Sequence, residues 1–382
     1  MNTKEILFMI FAFIISFVFS FASTPFVTKL AYKIGAVDIP KDNRRMHKKP
    51  IPRLGGLAII FGFLVAVLCF GEMTRSLAAM LIGAGIIVVL GVLDDCRNLP
   101  AKLKFVIQIV AALVVVVGGN IRIDVFTNPN IFSSNPYWIL PGWLSIIITV
   151  LWIVFITNSV NLIDGLDGLA AGVSAIMSVS LVFISMRVGE YSIGIIGIAL
   201  MGACMGFLPF NFNPAKIFMG DTGATFLGFI LATVSIQGAF KSYAIISFAV
   251  PLLILGLPLF DASFAILRRL FTGKGIMTAD RGHLHHRLID MGFSQKQTVF
   301  ILYAISGVLG ITAVILAESG ALRALLLLVC VLIFILIGSL LGKNVANMSG
   351  GMPQGIEEEE RIGGNASIDA PEKEEEEKDG EN

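Results

Sequence analysis

Two adjacent carboxylates, Asp94-Asp95, close a purely apolar run, IIVVLGVL. An ionised Asp at the centre of a bilayer costs at least about 2.5–3.5 kcal/mol, so an acid pair ending such a run belongs at the water boundary. There it could bind Mg2+ or act as a general base. It could equally mark a helix stop before the turn Arg97-Asn98-Leu99-Pro100. A second group, Asn161, Asp164 and Asp167, recurs every three residues, with Gly165 and Gly168 after the acids. That spacing puts neighbours on one helical face, and the glycines permit tight turns and close backbone approach. Two carboxylates and an amide suit a metal–phosphate or nucleoside site; capping of the helix that begins near Gly168 is the competing role. A third group runs from Asn211 through Phe218 to Asp221-Thr222-Gly223 and enters another apolar segment. Asp221 could be that helix's N-cap, but a helix N-terminus also favours phosphate, which metal on Asp221 would bring.

Three of the four histidines, His283, His285 and His286, fall within four residues between Arg281 and Arg287. Neutral imidazole ligates transition metals and charged imidazole binds phosphate; beside so many hard carboxylates, phosphate contact is favoured. The stretch Arg44 to Gly56 is strongly basic, and Lys48 and Arg53 within it are candidates for substrate contact. Attraction to anionic lipid, worth about 1 kcal/mol per charge, accounts for several of these charges, though not for the Pro-x-Pro-Arg-x-Gly-Gly turn. Asp261, in PLFDASFAILRRL, lies two turns before Arg268 and reads as its structural partner.

The elements that must hold these groups are membrane helices. The 382 residues are 56% hydrophobic and 14% charged, with mean hydropathy +0.86. Crossing a bilayer core takes roughly 20 apolar residues of helix. Eleven segments read as such helices, two of them short, near 6–24, 56–71, 77–93, 105–119, 141–160, 168–186, 192–209, 223–240, 244–262, 298–317 and 322–341. The runs are continuous rather than alternating, which selects helices over a barrel. The first lacks a small-x-small cleavage site, and basic residues follow it, so it reads as a retained helix with its N-terminus outside.

Loops on the motif-bearing side carry 18 Lys and Arg against 3 on the other. Basic loops stay in the cytoplasm, which puts every motif and the C-terminus inside the cell at a bacterial inner membrane. The outer loop 120–140 reads as a small hairpin. The expected fold is thus an all-α polytopic membrane protein of about eleven transmembrane helices, with its active site formed by cytoplasmic loops. Residues 1–341 form the catalytic domain. Residues 342–382, with 12 acidic and 4 basic residues, read as a disordered acidic tail.

The four cysteines have neither zinc-site nor disulfide spacing. No nucleic-acid motif or Walker loop is visible, so nucleic acid is not an expected partner; membrane lipid is, and a homodimer stays open. A transporter would carry ionisable groups near mid-membrane on broken helices in inverted repeats. Here they gather at one face, which favours an enzyme.

Taken together, PRLGG at 52–56, Asp94-Asp95, Lys102, NLIDGLDG at 161–168, FNFNPAKIFMGDTG at 210–223 and HLHH at 283–286 resemble the polyprenyl-phosphate N-acetylhexosamine-1-phosphate transferase superfamily, of glycosyltransferase family 4 type. The resemblance spans about residues 35–290. It implies transfer of a sugar-1-phosphate from a UDP-sugar to a polyprenyl phosphate, with release of UMP and Mg2+ as cofactor, Mn2+ substituting. HKKPIPRLGG and HLHH look like the branch that uses UDP-N-acetylglucosamine and undecaprenyl phosphate. They look less like the branch that transfers muramoyl-pentapeptide. By position the resemblance makes Asp94 and Asp95 the catalytic pair and Asp221 the Mg2+ ligand, with Asp164 beside it. Asn161, Asp167, Asn211 and Phe218 become nucleotide contacts, Asp167 meeting uracil and Phe218 stacking. Lys102 and the three histidines become phosphate contacts.

Overall fold

The structure, a computed structural model, describes residues 3–39, 50–127, 137–239, 249–271 and 282–319. All of them lie in one compact unit, Met1–Leu332. Twelve helices occur among the described residues: α1 (Thr3–Ile34), α2 (Gly56–Phe70), α3 (Arg75–Arg97), α4 (Ala101–Leu113), α5 (Gly142–Ile163), α6 (Leu169–Val188), α7 (Tyr191–Asn211), α8 (Gly220–Ala239), α9 (Ala249–Ile254), α10 (Gly256–Phe271), α11 (Leu284–Asp290) and α12 (Gln295–Ser319). Seven of these segments are long and apolar enough to cross a membrane, and Gly56–Phe70 is a shorter apolar helix. The protein is an all-α, multi-pass membrane protein.

The first ten predicted segments each meet a described helix; the eleventh, 322–341, lies outside the described residues, as do Lys48 and the acidic tail. Three differences have local causes. α1 continues well past residue 24, through Pro25, to Ile34. The segment near 105–119 is α4 finished by a π-helical turn, Val114–Gly118. The segment near 244–262 is broken at Leu255 into α9 and α10, and α10 runs on to Phe271 with an amphipathic pattern. The expected hairpin is present as β3 (Val125–Thr127) paired antiparallel with β4 (Tyr137–Ile139). A second two-stranded ribbon pairs β1 (Val37–Asp38) with β2 (Ile51–Pro52).

α8 is the hub. It packs on α2, α3, α5, α6, α7 and α9. Residues 222–236 are buried without a break, as expected for a helix that is apolar all round. Within a membrane bundle close approach depends on small residues. A Cβ on Gly56 would overlap Gly223 where α2 meets α8, and one on Gly91 would overlap Thr222 where α3 meets it. α8 therefore begins in the crook of α2 and α3. The end of α3, the loops after α5 and α7, the stretch before α2 and the starts of α8 and α12 are linked by hydrogen bonds to one another. They all lie at one end of the bundle.

Candidate functional site

The orphan N–H groups that open α8 are satisfied from α3. Asp95 Oδ1 accepts from the Asp221 N–H at 3.0 Å. Its Oδ2 accepts from the Thr222 N–H at 3.0 Å and the Thr222 hydroxyl at 2.6 Å. A carboxylate here both caps the helix and meets the positive end of its dipole. The Asp95 side chain is fully buried, and Arg53 lies 3.6 Å from Oδ1. Asp221 therefore does not cap its own helix; it sits in the first turn, held by its neighbour's carboxylate. Asp94, one residue earlier, points elsewhere. Its Oδ1 accepts from Leu99 N–H at 2.7 Å, closing the turn after α3, and its Oδ2 from Lys104 Nζ at 2.7 Å. The same ammonium donates to Asp221 Oδ2 at 3.1 Å. Asn161, at the end of α5, donates to Asp221 Oδ1 at 3.1 Å. Four helices thus deliver one cluster in which each Asp221 oxygen has a donor.

Asn161, Asp164 and Asp167 do not share a helical face. α5 ends at Ile163, and the acids lie on the turn before α6. Neither caps α6, whose N-cap is Gly168 in the left-handed region with no side-chain hydrogen bond. Asp167 Oδ2 instead accepts from Asn213 Nδ2 at 2.9 Å and Ala215 N–H at 3.0 Å. Asn213 also donates to Gln295 Oε1 at 2.6 Å. Asn211 is a buried strut: its Oδ1 accepts from Gly168 N–H at 3.1 Å and its Nδ2 donates to Ile217 O at 3.0 Å. Phe218 is fixed by its backbone, its N–H donating to Pro52 O at 2.8 Å and its carbonyl accepting from Gly55 N–H at 2.9 Å. The PRLGG stretch is therefore a brace that runs along residues 217–219.

These elements enclose a cavity of about 820 Å3. Arg53, Asn161, Asp164, Asp167, Asn211, Phe218, Asp221 and His286 all line it. A second cavity of about 20 Å3 lies beside it, lined among others by Asp94, Lys104, Gln108, Asn158, Asn161 and Asp221. Asn161 and Asp221 face both.

The histidines are organised by Asp261. Its Oδ2 pairs with His283 Nδ1 at 2.9 Å and its Oδ1 accepts from Leu284 N–H at 2.7 Å at the start of α11. The expected pair with Arg268 is thus replaced: Arg268 donates to Gly282 O at 2.8 Å. His285 is buried against Gly165, where a Cβ would overlap its Nε2. Burial, with the neighbouring His286 charge second, pushes His285 down to about 4. It is neutral at physiological pH and packs the 164–168 turn instead of carrying charge to a phosphate. His286 is the histidine that faces the large cavity.

Lys102 is not brought to the site. It lies exposed on α4, whereas Lys104 reaches Asp94 and Asp221. Lys104 shares a stripe with the buried Gln108, Ala111 and Val115, an i, i+4, i+7, i+11 pattern that could have selected it from sequence. Asn213 and Gln295 were also missed. Asn213 lay in a quoted motif with no chemistry assigned, and nothing in the pattern around Gln295 announced it.

The electrostatics are one-sided. Asp38, Asp94, Asp95, Asp164, Asp167 and Asp221 stand around the site against Arg53, Lys104 and Lys216. Asp164 records the imbalance: burial first, then the charges of Asp221, Asp95 and Asp167, push its carboxyl up to about 7. Such a site is poor at holding a polyphosphate unless a cation joins it.

Fold and site together define a class: a polytopic membrane protein with an acidic, donor-rich cavity opening at one end of its bundle. Comparison with known proteins narrows it. The family model described as "Glycosyl transferase family 4" matches residues 77–239. A Bacillus subtilis protein named "Probable undecaprenyl-phosphate N-acetylglucosaminyl 1-phosphate transferase" is 42% identical over 324 residues, covering 85% of this chain and 89% of the relative. A Mycobacterium tuberculosis "Decaprenyl-phosphate N-acetylglucosaminephosphotransferase" is 35% identical, covering 77% and 78%. A Staphylococcus aureus "Phospho-N-acetylmuramoyl-pentapeptide-transferase" is 35% identical, covering 70% and 86%. The chain belongs to the polyprenyl-phosphate N-acetylhexosamine-1-phosphate transferase superfamily of glycosyl transferase family 4. Its substrate classes are a UDP-sugar and a polyprenyl phosphate.

Proposed function

We propose that the protein transfers N-acetylglucosamine-1-phosphate from UDP-N-acetylglucosamine to undecaprenyl phosphate, releasing UMP, at the cytoplasmic face of a bacterial membrane. The observation that carries this reading is the cavity of about 820 Å3 lined by Arg53, Asn161, Asp164, Asp167, Phe218, Asp221 and His286, with the Asp94–Lys104 pair beside Asp221. The donor's nucleotide and sugar fit the large cavity. The acceptor's lipid tail must stay in the membrane, so its phosphate approaches from the α3–α4 side, where Asp94 and Lys104 stand. The donor sugar is supported by the name of the 42% identical relative over most of both chains. Muramoyl-pentapeptide transfer has support over a smaller share of the chain.

The residues present fit Mg2+. This ion takes one or two carboxylates and completes its shell with water and substrate phosphate. Asp221 and Asp164 line one cavity, and no group of three metal-ligating side chains closes a cage among the described residues. Bound there, Mg2+ would neutralise the donor diphosphate.

The protein's own groups then have separable tasks. Asp167, steadied by Asn213 and Ala215, keeps its other oxygen for the uracil edge. Phe218 offers a ring to the base. Arg53 and His286 are placed for the diphosphate. Lys104 presents a cation to the incoming acceptor phosphate. Asp94 holds that ammonium and orients it. A phosphate monoester's second ionisation lies near pH 6, so the acceptor is already nucleophilic at neutral pH and needs positioning and charge neutralisation more than a base. Asp95 is a positioning residue acting through the α8 N-terminus. The test is a donor panel on purified protein with Mg2+ and undecaprenyl phosphate. UMP release confined to UDP-N-acetylglucosamine supports the assignment; preference for UDP-N-acetylmuramoyl-pentapeptide overturns the donor.

A further inference from the structure

One buried polar pair has no role in the chemistry described so far. Gln108 on α4 is buried, and Asn158 on α5 is half-buried. Asn158 Nδ2 donates to Gln108 Oε1 at 2.6 Å and to Val154 O at 2.7 Å; Gln108 Nε2 lies 3.5 Å from Asn158 Oδ1. Uncharged amides inside an apolar bundle are tolerated when they satisfy each other, and these two do so across a helix pair.

Their spacing ties them to the site. Gln108 is one turn from Lys104 on α4, and Asn158 is one turn from Asn161 on α5; residues at such spacings stand one above the other. The two upper residues are the donors on Asp221 Oδ2 and Oδ1. The small cavity supplies a second link, since its wall contains Gln108 and Asn158 as well as Lys104, Asn161, Asp94 and Asp221. The amide pair is its floor and the carboxylate cluster its roof. At about 20 Å3 it has room for a water molecule and not for a phosphate.

We propose that Gln108 and Asn158 form a positioning clasp that fixes α4 against α5, and thereby holds Lys104 and Asn161 on the two oxygens of Asp221. Neither amide touches substrate. The kinetic half of the claim rests on the reading of Asp221 as the reaction centre; the geometric half does not. Replacing either amide by an aliphatic side chain breaks the hydrogen bonds between the two helices and lets α4 shift. Lys104 then loses Asp221, the cluster loses its ordered cation, and turnover suffers.

The experiment uses full-length protein in lipid nanodiscs: wild type, Gln108→Leu, Asn158→Leu, the double leucine variant, and the exchange Gln108→Asn with Asn158→Gln. The substrate-free readout is acylation of Lys104 by an amine reagent, followed by mass spectrometry, with exposed Lys216 as internal standard. Lys104 should react at least threefold faster in each single leucine variant and return toward the wild-type rate in the exchange. In turnover, the single variants should lose at least tenfold in kcat and keep donor KM within threefold. The double should lose no more than the worse single. Unchanged Lys104 reactivity in both single variants sinks the clasp. So do losses that multiply in the double variant, or a fall in activity that follows only the fraction of folded protein. If wild-type protein released no UMP from any UDP-sugar, the functional reading would fall, and Lys104 reactivity would still decide whether the clasp positions it.

Discussion

At the scale of single residues, adjacency in sequence conceals a division of labour. Asp94 and Asp95 share a motif, yet Asp95 is consumed by the start of α8 while Asp94 grips Lys104. Asp95→Asn should therefore cost stability, about 1–3 kcal/mol, because an amide NH2 is turned toward N–H donors in a dry site. Asp221→Asn should keep the fold and lose rate by about 10²-fold or more, with half-activation moved to higher Mg2+. Thermal unfolding of the substrate-free protein separates the two. Lys104→Gln should cost at least about tenfold in turnover, whereas Lys102→Gln should stay within about twofold, as exposed substitutions do. Normal turnover in Lys104→Gln would return the phosphate role to another group. The proposed Mg2+ role of Asp164 predicts a pH dependence. Its carboxyl is pushed up to about 7, so below that value a bound proton would compete with the cation. The Mg2+ concentration for half-activation should rise as pH falls through 7 and flatten above it; a flat profile from pH 6 to 8 would remove Asp164 from the metal site. The residue types were legible in the sequence; their pairings were not. Asp261 and His283 are 22 positions apart, and only a fold that lays α10 beside α11 brings them together.

At the scale of elements, hydropathy was a good guide because each helix must satisfy its own backbone in lipid. The break at Leu255 and the π-helical end of α4 escaped it, since an apolar run does not record where its hydrogen-bond ladder changes. The central place of α8 was also hidden. It depends on glycines whose importance appears only when helices cross. Gly56→Val should lower the unfolding temperature in detergent, because overpacking a tight contact costs about 1–3 kcal/mol. Gly85→Ala, where nothing lies within 4 Å of the added Cβ, should be neutral or mildly stabilising. Equal effects of the two would mean that the α2–α8 contact is not close-packed.

At the scale of the whole molecule, the acids, the histidine turn and the PRLGG brace converge at one end of the bundle although they span most of the chain. The sequence segments expected on the motif-bearing side hold 18 basic residues against 3 on the other, so the site should face the cytoplasm. Ser294→Cys, in a background lacking the native cysteines, should react with an impermeant thiol reagent in inverted vesicles and not in intact cells. The acidic tail carries no apolar segment or site motif, and truncation after Asn347 should keep specific activity within about threefold. The measurement that bears most directly on the central claim is UMP release by the purified, full-length protein given UDP-N-acetylglucosamine, undecaprenyl phosphate and Mg2+. Stoichiometric UMP and lipid-linked sugar diphosphate, abolished by EDTA and by Asp221→Asn, is the predicted result. Absence of UMP with every UDP-linked N-acetylhexosamine, or full turnover after metal removal, would contradict it.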